Sequence, residues 1–138
     1  MSGRHIVLVE DDPDDEELTL RALRRAHIAS EVVVTHDGQQ AVDLLCHGDA
    51  PLPAVVLLDL KLPKLDGIDV LQRLRGTART RALPVVVLTS SSEDADMQRC
   101  YAAGANSYVR KPVESGAFDG AVAQLGQYWT EVNEPPPD

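Results

Sequence analysis

The sequence predicts an open, doubly wound α/β domain in which a five-stranded parallel sheet carries helices on both faces. Three observations predict it. Short β-branched runs alternate with segments of helical spacing along nearly the whole chain, the pattern of successive right-handed βαβ units. Two of the runs, at 54–58 and 85–88, are apolar without alternation, as central strands covered on both faces must be. The 138 residues suffice for one core, and 43% apolar with 25% charged residues is the balance of an ordinary globular chain.

Strands are expected at 5–9, 31–35, 54–59, 84–90 and 106–111, and helices at 13–27, 38–47, 66–75, 93–103 and 113–130. The first helix has the clearest start. Pro13 suits the first helical position, Asp12 is then the N-cap, and Asp15 occupies the capping-box position three residues on. Asp14, Asp15, Glu16 and Glu17 fall in the first turn, where the helix dipole stabilises anions by ~0.3–1 kcal/mol each. Glu17 is spaced to pair with Arg21, and Arg24 and Arg25 sit at the favourable far end.

The last helix is weak by propensity, since Gly116, Gly120 and Gly126 each cost up to ~1 kcal/mol relative to alanine. It nonetheless carries Val113, Ala117, Ala121, Val122, Leu125, Tyr128 and Trp129. Three prolines in "EVNEPPPD" forbid its continuation. The chain is therefore read as one domain, 1–130, followed by a flexible tail, 131–138.

Charge and cysteines narrow the function classes. A formal net charge of −9 argues against a nucleic-acid surface. Cys46 and Cys100 lie far apart without metal-site or redox spacing, so both are read as small hydrophobes in a reducing compartment. No segment approaches the ~20 apolar residues of a membrane span. A cytoplasmic protein is expected.

In doubly wound sheets the working site lies beyond the carboxyl ends of the strands. Here those ends carry Glu10 and Asp11 after the first strand, Asp59 after the third, Thr89 after the fourth and Lys111 after the fifth. Seven carboxylates crowd the eight positions from Glu10 to Glu17. Those from Asp12 onward are read as helix-start chemistry, with the boundary at Asp12. Glu10 and Asp11 have no helix terminus to solvate them and would face Asp59 across the sheet. Converging carboxylates raise one another's pKa values, and a hard divalent cation such as Mg²⁺ removes that conflict. Lys111 precedes Pro112, which holds it in extended or turn geometry, with a cis bond as the minority alternative. A metal, a carboxylate nucleophile, a hydroxyl and an ammonium group are together the parts needed to receive a phosphoryl group.

The motifs "LVEDD", "LLDLKLPKLDG", "PVVVLTSS" and "GANSYVRKPV" resemble the receiver domain of bacterial two-component response regulators, over about residues 4–130. The resemblance implies a flavodoxin-like fold with strand order 2-1-3-4-5. It implies that Asp59 takes a phosphoryl group from a sensor histidine kinase. It makes Asp11, Asp59 and the Lys61 carbonyl Mg²⁺ ligands, with Glu10 acting through water. Thr89 and Lys111 would contact the phosphoryl oxygens, and Tyr108 would be the switch aromatic. With no effector domain after residue 130, the chain resembles single-domain regulators, most closely those partnered with bacterial phytochrome kinases. Lys61 stands where that group often has Asn, which bears on the lifetime of the phosphorylated state.

A phosphoacceptor signalling protein rather than an enzyme is thus expected, with a homodimer through the face made by 93–130. The alternatives are a phosphorelay intermediate serving a histidine phosphotransfer protein, or a Mg²⁺-dependent aspartyl-phosphate phosphatase. The phosphatase needs a second aspartate two positions after the nucleophile, where Lys61 stands. A flavin carrier of the same topology needs a phosphate cradle after the first strand, where "EDDPDDEE" would repel one. A pseudo-receiver would lack some of Glu10, Asp11, Asp59, Thr89 and Lys111.

Overall fold

The computed structural model describes residues 5–111 and 115–137. The readings of Pro112 and Val113 lie outside the described residues. Strands β1 (Ile6–Val9), β2 (Val32–Thr35), β3 (Val55–Leu58), β4 (Val85–Thr89) and β5 (Ser107–Arg110) form one parallel sheet in the order 2-1-3-4-5. Helices α1 (Pro13–Arg25), α2 (Gly38–Cys46), α3 (Gly67–Gly76), α4 (Asp94–Ala102) and α5 (Ser115–Gln127) alternate with them, and α5 runs on into a π-helical turn, Tyr128–Val132.

The burial pattern explains the order. Every residue of β1, β3 and β4 is buried, whereas β2 and β5 are mostly half-exposed and form the edges. The period of two in each strand divides the core. Val7, Val9, Val56, Leu58, Val85 and Val87 face α2, α3 and α4, where Leu45, Leu71, Leu74 and Cys100 pack on them. Ile6, Leu8, Val55, Leu57, Val86 and Leu88 face α1 and α5, meeting Ala22, Leu23, Phe118 and Val122.

Helix ends fall within a few residues of the expected positions. α1 stops at Arg25 because His27 turns left-handed (φ 57°) and Ile28 N–H folds back onto Leu23 O. Asp12 caps α1 as expected, accepting from the Asp14 and Asp15 amides at 2.8 and 3.3 Å. Arg21 and Arg24 both reach Glu17, at 3.9 and 3.2 Å. On α5 the three glycines differ in kind. A Cβ at Gly126 would sit 3.0–3.1 Å from Ile28 and Leu23, so this glycine lets α5 lie close on α1, while Gly116 and Gly120 open onto free space.

Of the four arginines between Arg73 and Arg81, Arg75 is not the solvated charge its neighbourhood implies. Its guanidinium donates to the carbonyls of Gly104, Thr80, Arg81 and Leu83 and to Asn106 Oδ1, at 2.8–3.2 Å. The fork geometry of arginine lets one side chain tie the α3–β4 connection to the turn before β5.

Candidate functional site

Parallel register builds the site. Val9 lies opposite Leu58 and Thr89 opposite Arg110, so the next residue of each strand emerges at the same sheet edge. Asp59 N–H donates to Val9 O at 3.1 Å, Glu10 N–H to Thr35 O at 3.0 Å and Lys111 N–H to Thr89 O at 2.7 Å. These bonds extend the ladder one residue past the strands and aim Glu10, Asp59 and Lys111 into one volume.

Glu10, Asp11 and Asp59 each place a carboxylate oxygen within 4.8 Å of the other two. Glu10 is 2% exposed, Asp59 is half-buried and Asp11 is exposed. Three hard oxygens, one of them open to water, are a donor set that fits a divalent cation retaining part of its hydration shell. Opposite them lies the Lys111 ammonium, 2.8 Å from Glu10, 3.0 Å from Asp15 and 3.7 Å from Asp59. Its side chain is only 9% exposed. Asp59 Oδ1 accepts from the Leu60 amide at 2.8 Å, and Oδ2 is the oxygen nearer Lys111.

The electrostatics follow from burial. Loss of water pushes the Glu10 pKa up; the Lys111 hydrogen bond opposes this, the Asp59 charge adds to it, and the result is about 7. For Lys111 burial works downward, but bonds to Glu10 and Asp15 and the charge of Asp59 outweigh it and lift the ammonium above the ordinary lysine value. A carboxyl whose folded pKa lies above its unfolded value of 4.5 contributes stability that is full below pH 4.5 and is lost as pH rises through about 7. In metal-free protein, wild type should therefore lose stability relative to Glu10→Gln across that window, by roughly 2–3 kcal/mol. Urea titrations at pH 5, 6, 7 and 8 check this. A constant difference between the two proteins would show that Glu10 is ionised throughout.

Asp15 corrects the boundary drawn at Asp12. Its side chain does not complete the capping box; the Asp12 amide goes instead to Glu10 Oε2 at 3.3 Å, and Asp15 turns to Lys111. In sequence the two are 96 residues apart, and an aspartate in a first helical turn carries no mark of a distant partner.

Thr89 is buried, and its hydroxyl accepts from the Ser91 amide at 3.3 Å. Ser91 O in turn accepts from the Tyr108 hydroxyl at 3.2 Å, and the half-buried Tyr108 ring packs beside the α2–α4 core. Ser91 joins the two residues, a role that only its place in "TSS" after the strand could have signalled.

The loop from Asp59 to Gly67 carries Lys61 and is clasped by the β2–α2 corner. Gly38 N–H donates to Pro63 O at 3.3 Å, Lys64 (φ 69°) reaches Asp37 at 3.6 Å, and Gly67 N–H donates to Leu60 O at 2.8 Å. A Cβ at Gly38 would lie 1.9 Å from Leu65 O, so only glycine permits this approach. The Lys61 side chain is exposed.

A parallel sheet of order 2-1-3-4-5 with acidic residues, a threonine and a lysine at its carboxyl edge defines a phosphoacceptor signalling domain. The chain belongs to the response regulator receiver domain family, whose model matches residues 6–123. It is 40% identical over 134 residues to the probable methanogenesis regulatory protein FilR2 of Methanothrix harundinacea, covering 95% of this chain and 86% of that protein. Response regulator Rcp1 of Synechocystis is 32% identical over 131 residues, covering 92% and 89%. The crystal structure of Rcp1 in its Mn²⁺-bound form superposes with a TM-score of 0.87, at 31% identity over 97% of this chain and 99% of that one. The bacteriophytochrome response regulator RtBRR is 50% identical, with a TM-score of 0.76 over 99% and 86% of the two chains.

Proposed function

We propose that the protein is a response regulator that receives a phosphoryl group from a phytochrome-type sensor histidine kinase onto Asp59, with Mg²⁺ held by Asp11, Asp59 and the Lys61 carbonyl and, through water, by Glu10. The observation that carries this reading is the meeting of the Glu10, Asp11 and Asp59 carboxylates opposite the Lys111 ammonium. The Asp59 carboxylate attacks phosphorus, the phosphorus–nitrogen bond of the donor histidine breaks with its electron pair going to nitrogen, and the imidazole departs neutral, keeping the proton already on its other ring nitrogen. Lys111 and the Thr89 hydroxyl meet the charge that builds on the phosphoryl oxygens. The bound cation supplies further charge neutralisation there. The likeness to the bacteriophytochrome response regulator RtBRR favours a bacteriophytochrome donor over other kinases.

No turnover of a separate substrate is part of this reading, and a cytoplasmic location follows from it. Among the described residues no helix is long and apolar enough to cross a membrane. The domain is taken as 1–130 and the tail as 131–138. Mg²⁺ should raise the thermal midpoint of wild type and leave Asp11→Asn nearly unmoved; equal stabilisation of both would misplace the metal.

Phosphorylation is transmitted, in this reading, along the two hydrogen bonds from Thr89 through Ser91 to Tyr108. The Tyr108 ring already packs inward, so the expected movement is a tightening of this connection rather than entry from solvent. It would reach the face made by 93–130, where Tyr101 and Tyr128 are each 47% exposed and Trp129 stands edge-on to Tyr128 at 5.0 Å. This face is proposed as a homodimer contact that binds no nucleic acid. Sedimentation with beryllofluoride should show dimer at micromolar concentration, and monomer alone would remove the proposal.

Lys61 bears on how long the signal lasts. Loss of the phosphoryl group needs water in line with the phosphorus–oxygen bond. A charged lysine has donors only and cannot act as a base, while its stem can cover the group. Lys61→Asn should dephosphorylate several-fold faster, about 1 kcal/mol of barrier. Equal rates at one Mg²⁺ concentration, or a slower variant, would show that Lys61 shields nothing.

A further inference from the structure

Lys111 is held by two carboxylates before any phosphoryl group arrives, and only one of them, Glu10, belongs to the cluster of Glu10, Asp11 and Asp59. Glu10 accepts at 2.8 Å and Asp15 at 3.0 Å, whereas Asp59 lies at 3.7 Å, beyond hydrogen-bond reach. An ammonium group has three N–H donors. Two are thus directed to Glu10 and Asp15, on the β1–α1 side of the site. Asp15 can reach because Asp12 caps the helix by itself, so that the first turn of α1 presents Asp15 toward β5 while the exposed Asp14 remains at the surface. Asp15 keeps contact with water (38% of its side chain is exposed), and no other cation is recorded beside its carboxylate among the described residues.

We propose that Asp15 is a positioning residue for Lys111: it holds the ammonium toward α1 in the unphosphorylated protein and thereby weakens the pull of the site on an incoming phosphoryl group. The inference rests on the reading of Asp59 as acceptor and Lys111 as phosphoryl contact. The phosphoryl group must share or displace Asp15 to gain the lysine, and it meets the Asp15 negative charge just beyond the ammonium. Glu10 is the other carboxylate on the lysine and is buried, 2% exposed, whereas Asp15 is the one open to solvent. Removing the Asp15 charge weakens the hold on that donor, since a neutral amide oxygen accepts less strongly than a carboxylate, and it lowers the repulsion, so the phosphorylated form is favoured.

The test compares wild type with Asp15→Asn, Asp15→Glu and Asp14→Asn at saturating Mg²⁺. Asp14→Asn makes the same charge change in the same helical turn, away from Lys111. Beryllofluoride affinity is followed by fluorine NMR, and the acetyl phosphate dependence of phosphorylation by mass spectrometry. Asp15→Asn should bind beryllofluoride roughly three- to fivefold more tightly, the size expected for one charge in a part-exposed ion pair. Its half-saturating acetyl phosphate concentration should fall by the same factor while the maximal rate holds. Asp15→Glu should return toward wild type and Asp14→Asn should match it. Unchanged or weaker binding by Asp15→Asn, or an equal gain in Asp14→Asn, overturns the proposal while leaving the acceptor reading intact. Wild type that takes up neither reagent overturns both.

Discussion

Lys111→Met should cost the metal-free protein about 2–4 kcal/mol of stability, and a divalent cation should restore most of the loss. The lysine is the single cation that the Glu10, Asp15 and Asp59 carboxylates share among the described residues. Removing one partner of a buried pair typically costs 3–5 kcal/mol, because the remaining charge is left without compensation. Here the cost is tempered, since burial has already pushed Glu10 to about 7 and it can take up a proton in place of the lost ammonium. The variant should therefore be least stable above pH 7 and recover as pH falls. It should also bind the cation more tightly than wild type, because no ammonium competes for the same oxygens. Denaturant unfolding with chelator and with Mg²⁺ measures both terms. A loss below about 1 kcal/mol, or one that metal leaves untouched, would mean that Lys111 balances little of the acidic charge.

Gly38→Ala is the second large effect, and it concerns the loop rather than the charges. The new methyl would fall 1.9 Å from Leu65 O and 2.7 Å from Leu65 C and Cβ, atoms that cannot rotate aside. Either α2 or the 59–67 loop must move, and overpacking of this kind costs about 1–3 kcal/mol. Movement of the loop displaces Asp59 and the Lys61 carbonyl together, so Mg²⁺ stabilisation should fall along with intrinsic stability. Gly120→Ala supplies the opposite case. It faces open space inside α5, and the same change there should stabilise by up to ~1 kcal/mol through helix propensity. If both variants unfold at the wild-type midpoint, the clasp between the β2–α2 corner and the 59–67 loop carries no load.

The parts of this molecule that the sequence made legible are those fixed by period and by parallel register. A run such as Val55–Leu58, short, apolar at every position and led by β-branched residues, reads as a covered strand. Once the strands are parallel, Glu10, Asp59 and Lys111 have to meet at one edge. Contacts made by side chains across distant elements were not legible. Asp15 satisfied the local rule for a helix start and so hid its partner Lys111, one residue past β5. Gly38 resembled any small residue opening a helix, and nothing near it announced the Leu65 carbonyl. Arg75 sat among arginines that are solvated by default, yet it bonds to four backbone carbonyls. Local chemistry says what a residue can do nearby; only the packed chain says which distant group it meets.

Asp59 is proposed as the single phosphoryl acceptor. Intact-mass measurement after incubation with acetyl phosphate and Mg²⁺, followed by fragmentation, tests it most directly. A single added phosphoryl group, located on Asp59, absent from Asp59→Asn and lost when Mg²⁺ is chelated beforehand, is the predicted result. No mass gain in wild type, or a phosphoryl group that persists in Asp59→Asn, would contradict it.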